Sequence, residues 1–477
     1  MENPSENESP SEHQSSRKSI WKDLIAAIKG TEADYTKIKL NKAIFLLAVP
    51  MILELVMESV FAVVDIYFVG KLGSEAVATV GLTETYMFLV YSIAMGLSMA
   101  VTAIISRRIG EKKQEDAGKT AFQAILLALT ASLPFTVLGI FFAPEMLKLM
   151  GASDWALEHG YQYTQWMMGS NAIIILIFVI NAIFRGAGDA AIAMRVLIIA
   201  NTINIFLDPI LIMGWGPFPQ LGIEGAAIAT NIGRGIGILI QLWYLIKGGK
   251  HIQILRSELK WNGKHIWSIL KTSLGGIGQM LVAMTSWIFL IRILADIGSD
   301  AVAASTIVIR LIMFTLMPAW GLSNAAATLV GQNLGAGSPD RAESSIWKIG
   351  IYNMIFLILV SFCYFFLSEE LMRIFSNNKN VIQIGAEWLK ILSYSYFIYG
   401  WWMITAQAFN GAGDTKTPTW INMVFLWLIQ IPLSYLLALQ YEWGPTGVFW
   451  TVFIAETSGG VFTLWLFRRG KWKLAKV

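Results

Sequence analysis

The chain has 477 residues, of which 55% are hydrophobic and only 14% charged, with a formal net charge of +4 and a mean hydropathy of +0.57. Soluble domains carry about a quarter charged residues, so an ordinary soluble protein is excluded, and apolar runs of about 20 residues along most of the length point to a polytopic helical membrane protein. A single cysteine, Cys363, excludes a disulfide framework and a multi-cysteine metal site, and His13, His159, His251 and His265 fall in polar stretches, which leaves no histidine metal site or proton relay.

Residues 1–16 are rich in Ser, Glu and Asn without an apolar core, and read as a disordered tail rather than a signal peptide. In SIWKDLIAAIKG (19–30), Ile20, Leu24, Ile25 and Ile28 recur at helical spacing; the segment is either a short helix lying on the membrane surface or a linker. Twelve spans follow, at 41–66, 81–105, 119–143, 162–184, 190–213, 222–247, 267–294, 301–330, 344–367, 385–409, 416–439 and 445–467. Two closely spaced pairs are divided at FRGAGD and FNGAGD.

Basic residues mark alternate connections: Arg17, Lys18, Lys37 and Lys39; Arg107, Arg108, Lys112 and Lys113; Lys250, Arg256, Lys260 and Lys264; Arg341; and Arg468, Arg469, Lys471, Lys473 and Lys476. The other connections hold little beyond Lys71, Lys148, Arg373 and Lys379. This asymmetry predicts a multi-pass protein of the cell membrane with both termini in the cytoplasm.

The chain also repeats itself. GKLGSEAVATVGL (70–82) matches ADIGSDAVAASTI (295–307), MGLSMA (95–100) matches WGLSNA (320–325), and IFRGAGD (183–189) matches AFNGAGD (408–414), every pair at the same separation. The expected fold is therefore an all-α integral membrane protein of twelve transmembrane helices in two pseudo-symmetric six-helix lobes related as parallel repeats. The expected divisions are a 1–40 tail, a first lobe over 41–247, a 248–266 linker, a second lobe over 267–467 and a basic 468–477 tail.

The first span carries three acids, Glu54, Glu58 and Asp65. An ionised carboxylate at mid-bilayer costs at least about 2.5–3.5 kcal/mol, so three facing lipid would cost roughly 8–10 kcal/mol. At about 100° and 1.5 Å per residue, Glu58 lies about 40° and Asp65 about 20° from Glu54, so all three share one stripe rising about 16 Å. They are expected to face a wet or protonated interior, with Glu54 and Glu58 as a proton relay or substrate attraction. Of the other intramembrane charges, Arg234 and Glu456 sit at matching places in spans six and twelve and suggest a structural ion pair. Arg292 is expected to snorkel, Arg310 is either structural or cavity-lining, and Glu84 is expected to be solvated. Asp189 and Asp414, in the two GAGD turns, are expected to cap the following helices.

VDIYFVGKLGSEAVA, AMGLSMAVTAIISRRIG and NAIFRGAGD in the first half, NTINIFLDPILI and GIEGAAIATNIG after them, and VGQNLGAGSPDRA and FNGAGDTKTP in the second half resemble the multidrug and toxic compound extrusion (MATE) family over about residues 40–470. The polar residues are similar to those of its DinF-like and archaeal branch. The resemblance implies a secondary antiporter that expels amphipathic, often cationic, organic compounds against inward sodium or protons. It also places the family's functional aspartate on Asp65, its fifth-span pair on Asn204 and Asp208, its fourth-span asparagine on Asn181 and its sixth-span threonine on Thr230. Another branch carries a carboxylate in span seven, where this chain has Gln279, Ala283 and Met284.

Asn204 and Asp208 share a helix face at i and i+4, and Pro209 removes a backbone donor beside them. Two carboxylates, two amide oxygens and a hydroxyl form an all-oxygen set suited to sodium and equally to a proton network, and the residues leave that choice open. Among 19 Trp and 20 Met, the candidates for a drug-cavity wall are Gln279, Met284, Trp287, Trp401 and Trp402, since aromatic faces attract organic cations. A lipid-linked oligosaccharide flippase, the main alternative, would be expected to line its cavity with several bases, and the spans hold few. A sensor lacks an output domain in this sequence, and no phosphate loop, nucleophile triad or metal motif suggests an enzyme. The expected partners are small amphipathic molecules and lipids, without nucleic acid or cofactor, acting on a monomer.

Overall fold

The computed structural model describes residues 21–248, 251–255 and 259–475. The expected tail at 1–16, with His13, Arg17, Lys18 and Ile20, lies outside the described residues, as do Lys250, Arg256 and Lys476. Residues 21–29 are helical. Ala27 is buried, Trp21, Ile25 and Ile28 are exposed, and Asp23 pairs with Lys42 at 2.7 Å.

The spanning helices are α1 (Leu40–Gly70), α2 (Ser74–Gly110), α3 (Gln114–Leu149), α4 (Ala156–Ala187), α5 (Ala190–Met213) and α6 (Ile223–Lys247) in the first half. The second half has α7 (Gly263–Ile297), α8 (Ser299–Gly335), α9 (Pro339–Phe366), α11 (Lys416–Gln440) and α12 (Pro445–Arg468). Among the described residues these eleven are long and apolar enough to cross a membrane. The remaining spanning element, α10, is interrupted: Lys379–Ser393 and Tyr396–Ala412 are separate helices, each shorter than the ~20 residues a span needs but together sufficient. Several helices exceed the spans expected from hydropathy. α2 starts at Ser74 rather than 81, because Gly73, at φ 107°, makes the turn and the segment from Ser74 onward continues into the helix.

The two GAGD turns close in the same way, Gly188 and Gly413 both taking φ 93° as left-handed helix ends. Their aspartates differ. Asp414 accepts from the Thr417 amide at 3.2 Å, as a cap should, whereas Asp189 makes no capping bond and accepts from the His251 amide at 3.1 Å. The difference arises because the connection after α6 folds back over the first turn.

Each lobe has its own apolar core, one built from α2 to α6 and one from α7 to α12. A third cluster, at the Lys/Arg-rich end, mixes both halves: Leu47 and Met51 of α1 pack with Leu329 and Val330 of α8 and Ile404 of α10. Backbones meet directly there. A Cβ on Gly110 would strike the Gln332 carbonyl and one on Gly335 the Arg107 carbonyl. Nearer mid-depth, one on Gly96 would strike Ile277 and one on Gly321 would strike Ile52. The repeat pairs Gly110 with Gly335, Arg107 with Gln332, Gly96 with Gly321 and Ile52 with Ile277, all at the separation of the matching motifs. Each contact therefore occurs twice with its partners exchanged.

Polar bonds reinforce this end. Gln332 donates to the Gly186 carbonyl at 3.1 Å and Thr328 to that of Arg185 at 3.2 Å. Arg341 donates to the carbonyls of Tyr35 and Ile38, and Arg107 to that of Ala475 at 3.3 Å. The Lys/Arg-rich end is therefore shut.

The seal can be tested at a backbone contact and at a charge pair. Gly110→Val forces the α2 and α8 backbones apart, so in a Cys363→Ser background a cysteine at Ser98 becomes labelled by an impermeant thiol reagent from the Lys/Arg-rich side; unchanged labelling would show that the seal lies elsewhere. Asp34, on the strap before α1, bonds Lys112 at 2.8 Å. Partial burial raises its pKa, but Lys112 and Thr36 outweigh this and hold it at about 2, below the ordinary 3.8. The stabilisation is thus full above the ordinary value and lost as pH falls through about 2. Lys112→Met should lower the thermal midpoint at neutral pH, and the gap to the parent should close across that acid window; a pH-independent gap would assign the effect to packing.

Candidate functional site

The acid stripe of α1 faces the interior of the first lobe, and its three carboxylates meet three different settings. Glu54, nearest the sealed end, is buried. Its Oε1 accepts from Arg185 Nη1 at 2.7 Å and from Asn181 Nδ2 at 3.1 Å, both on α4. Asn181 Oδ1 in turn accepts from Gln241 of α6 at 2.5 Å. Glu58, one turn further on, accepts from Arg234 Nη2 of α6 at 2.6 Å and from Asn201 of α5 at 3.4 Å. Asp65, half-buried, lies within electrostatic reach of Asp208, Arg234 and Glu84.

α1 and α5 pack side by side and run the same way. Asn201 lies beside Glu58, and two turns later on each helix Asp208 lies beside Asp65. Between them Asn204 donates to Thr230 of α6 at 3.2 Å. Asp208 is wholly buried, and among the described residues neither of its oxygens has a hydrogen-bond partner, nor does Asn204 Oδ1. Acceptor oxygens left this way one turn apart on α5, with the Asn204 side chain the nearest donor to Asp208, are a poor arrangement for an empty site and a good one for a bound cation or proton. No cluster of three or more His, Cys, Asp or Glu suited to a metal occurs among the described residues. The oxygen set fits sodium or a proton rather than a softer ion.

Asn181 is thus not in this group. Its side chain belongs with Glu54, because its position on α4 is nearer the sealed end. Arg234 does not pair with Glu456 as matching positions suggested: those positions lie in different lobes, and Glu58 is the counter-ion. Sequence reasoning also passes over Arg185, Asn201, Gln241 and Tyr163, the last close to Asp65 and Glu84. Arg185 has one usable signal, its place one turn after Asn181 on the same helix face.

A cavity of about 220 Å³ lies between the lobes. From the first lobe it receives Glu54, Glu58, Asn181, Arg185 and Arg234, with Met95, Met99 and Phe178; from the second it receives Met280, Met284, Trp320, Asn324 and Gln407. Of the five residues expected on its wall, Met284 is there. The others pack within the second lobe: Trp287 near Trp388, Trp401 against Trp347, Trp402 edge-on to Phe425, and Gln279 buried beside Asn422. Trp287, Trp401 and Trp402 are large apolar side chains that suit a helix–helix core as well as a cavity wall, so their residue type gives no sign of which face meets the cleft. At the outer mouth Glu84 of α2 lies within electrostatic reach of Arg310 of α8, and Arg292 pairs with Asp296 at 3.2 Å at an exposed helix end.

Breaking one half of a buried pair strands the other charge, at about 3–5 kcal/mol. Glu54→Ala and Arg185→Ala should each lower the thermal midpoint more than the double variant Glu54→Gln/Arg185→Met does. Additive losses in the three midpoints would mean that the two side chains do not act as a pair.

The MatE family model matches residues 50–210 and 274–436, one stretch in each half. The chain is 28% identical to the probable multidrug resistance protein NorM of Thermotoga maritima over 439 residues, covering 91% of this chain and 94% of that one. It is 29% identical to a FAD transporter of Shewanella oneidensis, covering 79% and 83%. A crystal structure of MATE in complex with MaL6 superposes with a TM-score of 0.85 at 23% identity, covering 95% of this chain and 99% of that one, which establishes the twelve-helix, two-lobe fold.

Proposed function

Because the chain belongs to the MatE family, we propose that this multi-pass membrane protein is a secondary antiporter that exports amphipathic, often cationic, organic compounds and is driven by inward protons or sodium. The observation that carries this reading is the group of Asp208, Asn204 and Asp65, in which Asp208 is wholly buried and its two oxygens and Asn204 Oδ1 form no well-made hydrogen bond among the described residues. The name of the Thermotoga relative supports multidrug export. Both Arg185 and Arg234 in the cavity are matched by glutamates, which weighs against a flippase for pyrophosphate-linked sugars, since such a cargo needs unmatched bases.

Mechanistically, a cation enters from the open end and reaches Asp65 and Asp208, with Asn204 and Thr230 as further oxygen ligands or proton partners. Neutralisation there removes the repulsion between the two aspartates. α1 then repacks against α5, and Glu58 and Glu54 move on the same rigid helix. Their pairs with Arg234 and Arg185 shift, the cavity loses its hold on the organic molecule, and the molecule leaves through the open end. Met95, Met99, Met280 and Met284 supply an adaptable apolar wall and Trp320 and Phe178 aromatic faces for an organic cation. Each coupling charge carries about 2.3 kcal/mol per 100 mV of membrane potential. The alternation of basic connections supports a cell-membrane protein with the sealed end and both termini in the cytoplasm, acting as a monomer without a cofactor. The divisions near 41–247 and 267–467 are its moving bodies.

In proteoliposomes, Asp208→Asn and Asp65→Asn should abolish uphill dye efflux while leaving passive leak unchanged. Efflux driven by a proton gradient alone, or by a sodium gradient alone, then names the ion. Wild-type efflux rates in both variants would sink the proposal.

A further inference from the structure

The repeat exposes one charge that the antiport scheme does not use. Gly222 and Gly444 introduce α6 and α12 with the same backbone, φ 59° and ψ −134° against φ 59° and ψ −146°. This sets the register of those two helices: with Gly222 on Gly444, Arg234 falls on Glu456. In the first lobe Arg234 is answered by Glu58 of α1 at 2.6 Å. The register that pairs Ile52 of α1 with Ile277 of α7 makes Ala283 the mate of Glu58. The second lobe therefore keeps one member of an ion pair, with its sign reversed, and has lost the other.

Glu456 is 7% exposed. Among the described residues its Oε2 has no hydrogen-bond partner, and no ion pair forms with it. It sits midway along Pro445–Arg468, at the level where α10 is interrupted. α12 lies along α10 so closely that a Cβ on Gly460 would come within 2.8 Å of Ile398. One turn earlier, Glu456 faces the break between Ser393 and Tyr396, where the Ser395 hydroxyl is in reach. Tyr396 and Tyr399 of α10 are the titratable groups near it. Lys390 and Glu387 of α10 lie further toward the helix start, and Glu387 accepts from Thr446. The ionisable groups of α7 (Lys264, Lys271, Arg292, Asp296) and of α11 (Lys416, Tyr435) are exposed, and His265 of α7 is partly buried in that helix's first turn, away from Glu456.

We propose that Glu456 is a proton-binding site in the second lobe, separate from the Asp65/Asp208 group. A carboxylate this deep with no cation beside it is stable as the neutral acid. Hydroxyls of Ser395, Tyr396 and Tyr399 accept or donate as it changes state. Hard metal cations take about six or more oxygens, and one carboxylate with three hydroxyls falls short, so the ligand is a proton. The neighbouring break in α10 lets the helix yield when the acid ionises and draws in donors. The proton site stands on the geometry alone; its use in coupling rests on the antiport reading.

The test separates the two. Infrared titration of the reconstituted wild type should show the C=O stretch of a protonated, buried carboxylic acid that titrates with pH. Glu456→Gln, which copies the neutral acid in shape, should lose that band while keeping its thermal midpoint. Ala283→Arg, restoring the missing counter-charge, should also abolish the band by holding Glu456 ionised. A band unchanged in Glu456→Gln would overturn the site. If the band behaves as expected, Glu456→Gln should also flatten one limb of the efflux–pH profile. An unchanged profile with a lost band would overturn only the coupling role.

Discussion

Charge compensation inside a hydrocarbon slab is the constraint on which the first lobe depends. Glu54 and Glu58 can be held at mid-depth only because Arg185 and Arg234 meet them at 2.7 and 2.6 Å, with Asn181 and Asn201 taking further lone pairs. Those bonds cross from α1 to α4, α5 and α6, so the polar residues also fix how the helices lie. In a membrane, where lipid is as apolar as any leucine, such cross-helix bonds replace part of the drive that burial supplies in water. The pair at Asp65 and Asp208 is the exception: no arginine meets Asp208 among the described residues, and its two oxygens form no well-made hydrogen bond.

The arrangement explains how a small event at one site reaches a cavity one or two turns away. Asp65, Glu58 and Glu54 ride on the same uninterrupted helix, α1. A change in how α1 packs on α5 is transmitted to both glutamates without any relay of side chains. The cavity meanwhile is flanked by two matched ion pairs, so its net charge is near zero when empty. The cavity therefore presents no vacant anionic hole, and its apolar wall is largely methionine and aromatic.

Much of this was legible in the chain. The internal repeat at one constant separation, the twelve apolar runs and the alternation of basic connections fix topology, because each follows from the bilayer's demand for satisfied backbones and from charge asymmetry. The common stripe of Glu54, Glu58 and Asp65 followed from helical spacing, and the grouping of Asn204 with Asp208 and Thr230 followed from the family resemblance. The counter-ions were not legible. Arg185 and Gln241 look like helix-end and interior polar residues, and only the crossing of α4 and α6 beside α1 brings them to Glu54 and Asn181. The wall of the cavity was equally hidden. Trp287, Trp401 and Trp402 suit a helix–helix core as well as a cavity wall, and tertiary packing alone sends them into the second lobe.

The glycine contacts between the lobes carry a consequence beyond the seal. Gly96 meets Ile277 while Gly321 meets Ile52, and Gly110 meets Gln332 while Gly335 meets Arg107. Reciprocity of this kind, in which residue i touches j and the equivalent of j touches the equivalent of i, is the mark of an isologous two-fold interface. The seam between the lobes is thus built as a two-fold interface within a single chain. The two halves are nevertheless unequal within it: Arg185 in one stands where Asn410 does in the other, and Arg234 where Glu456 does, so a symmetric seam joins two chemically different sites.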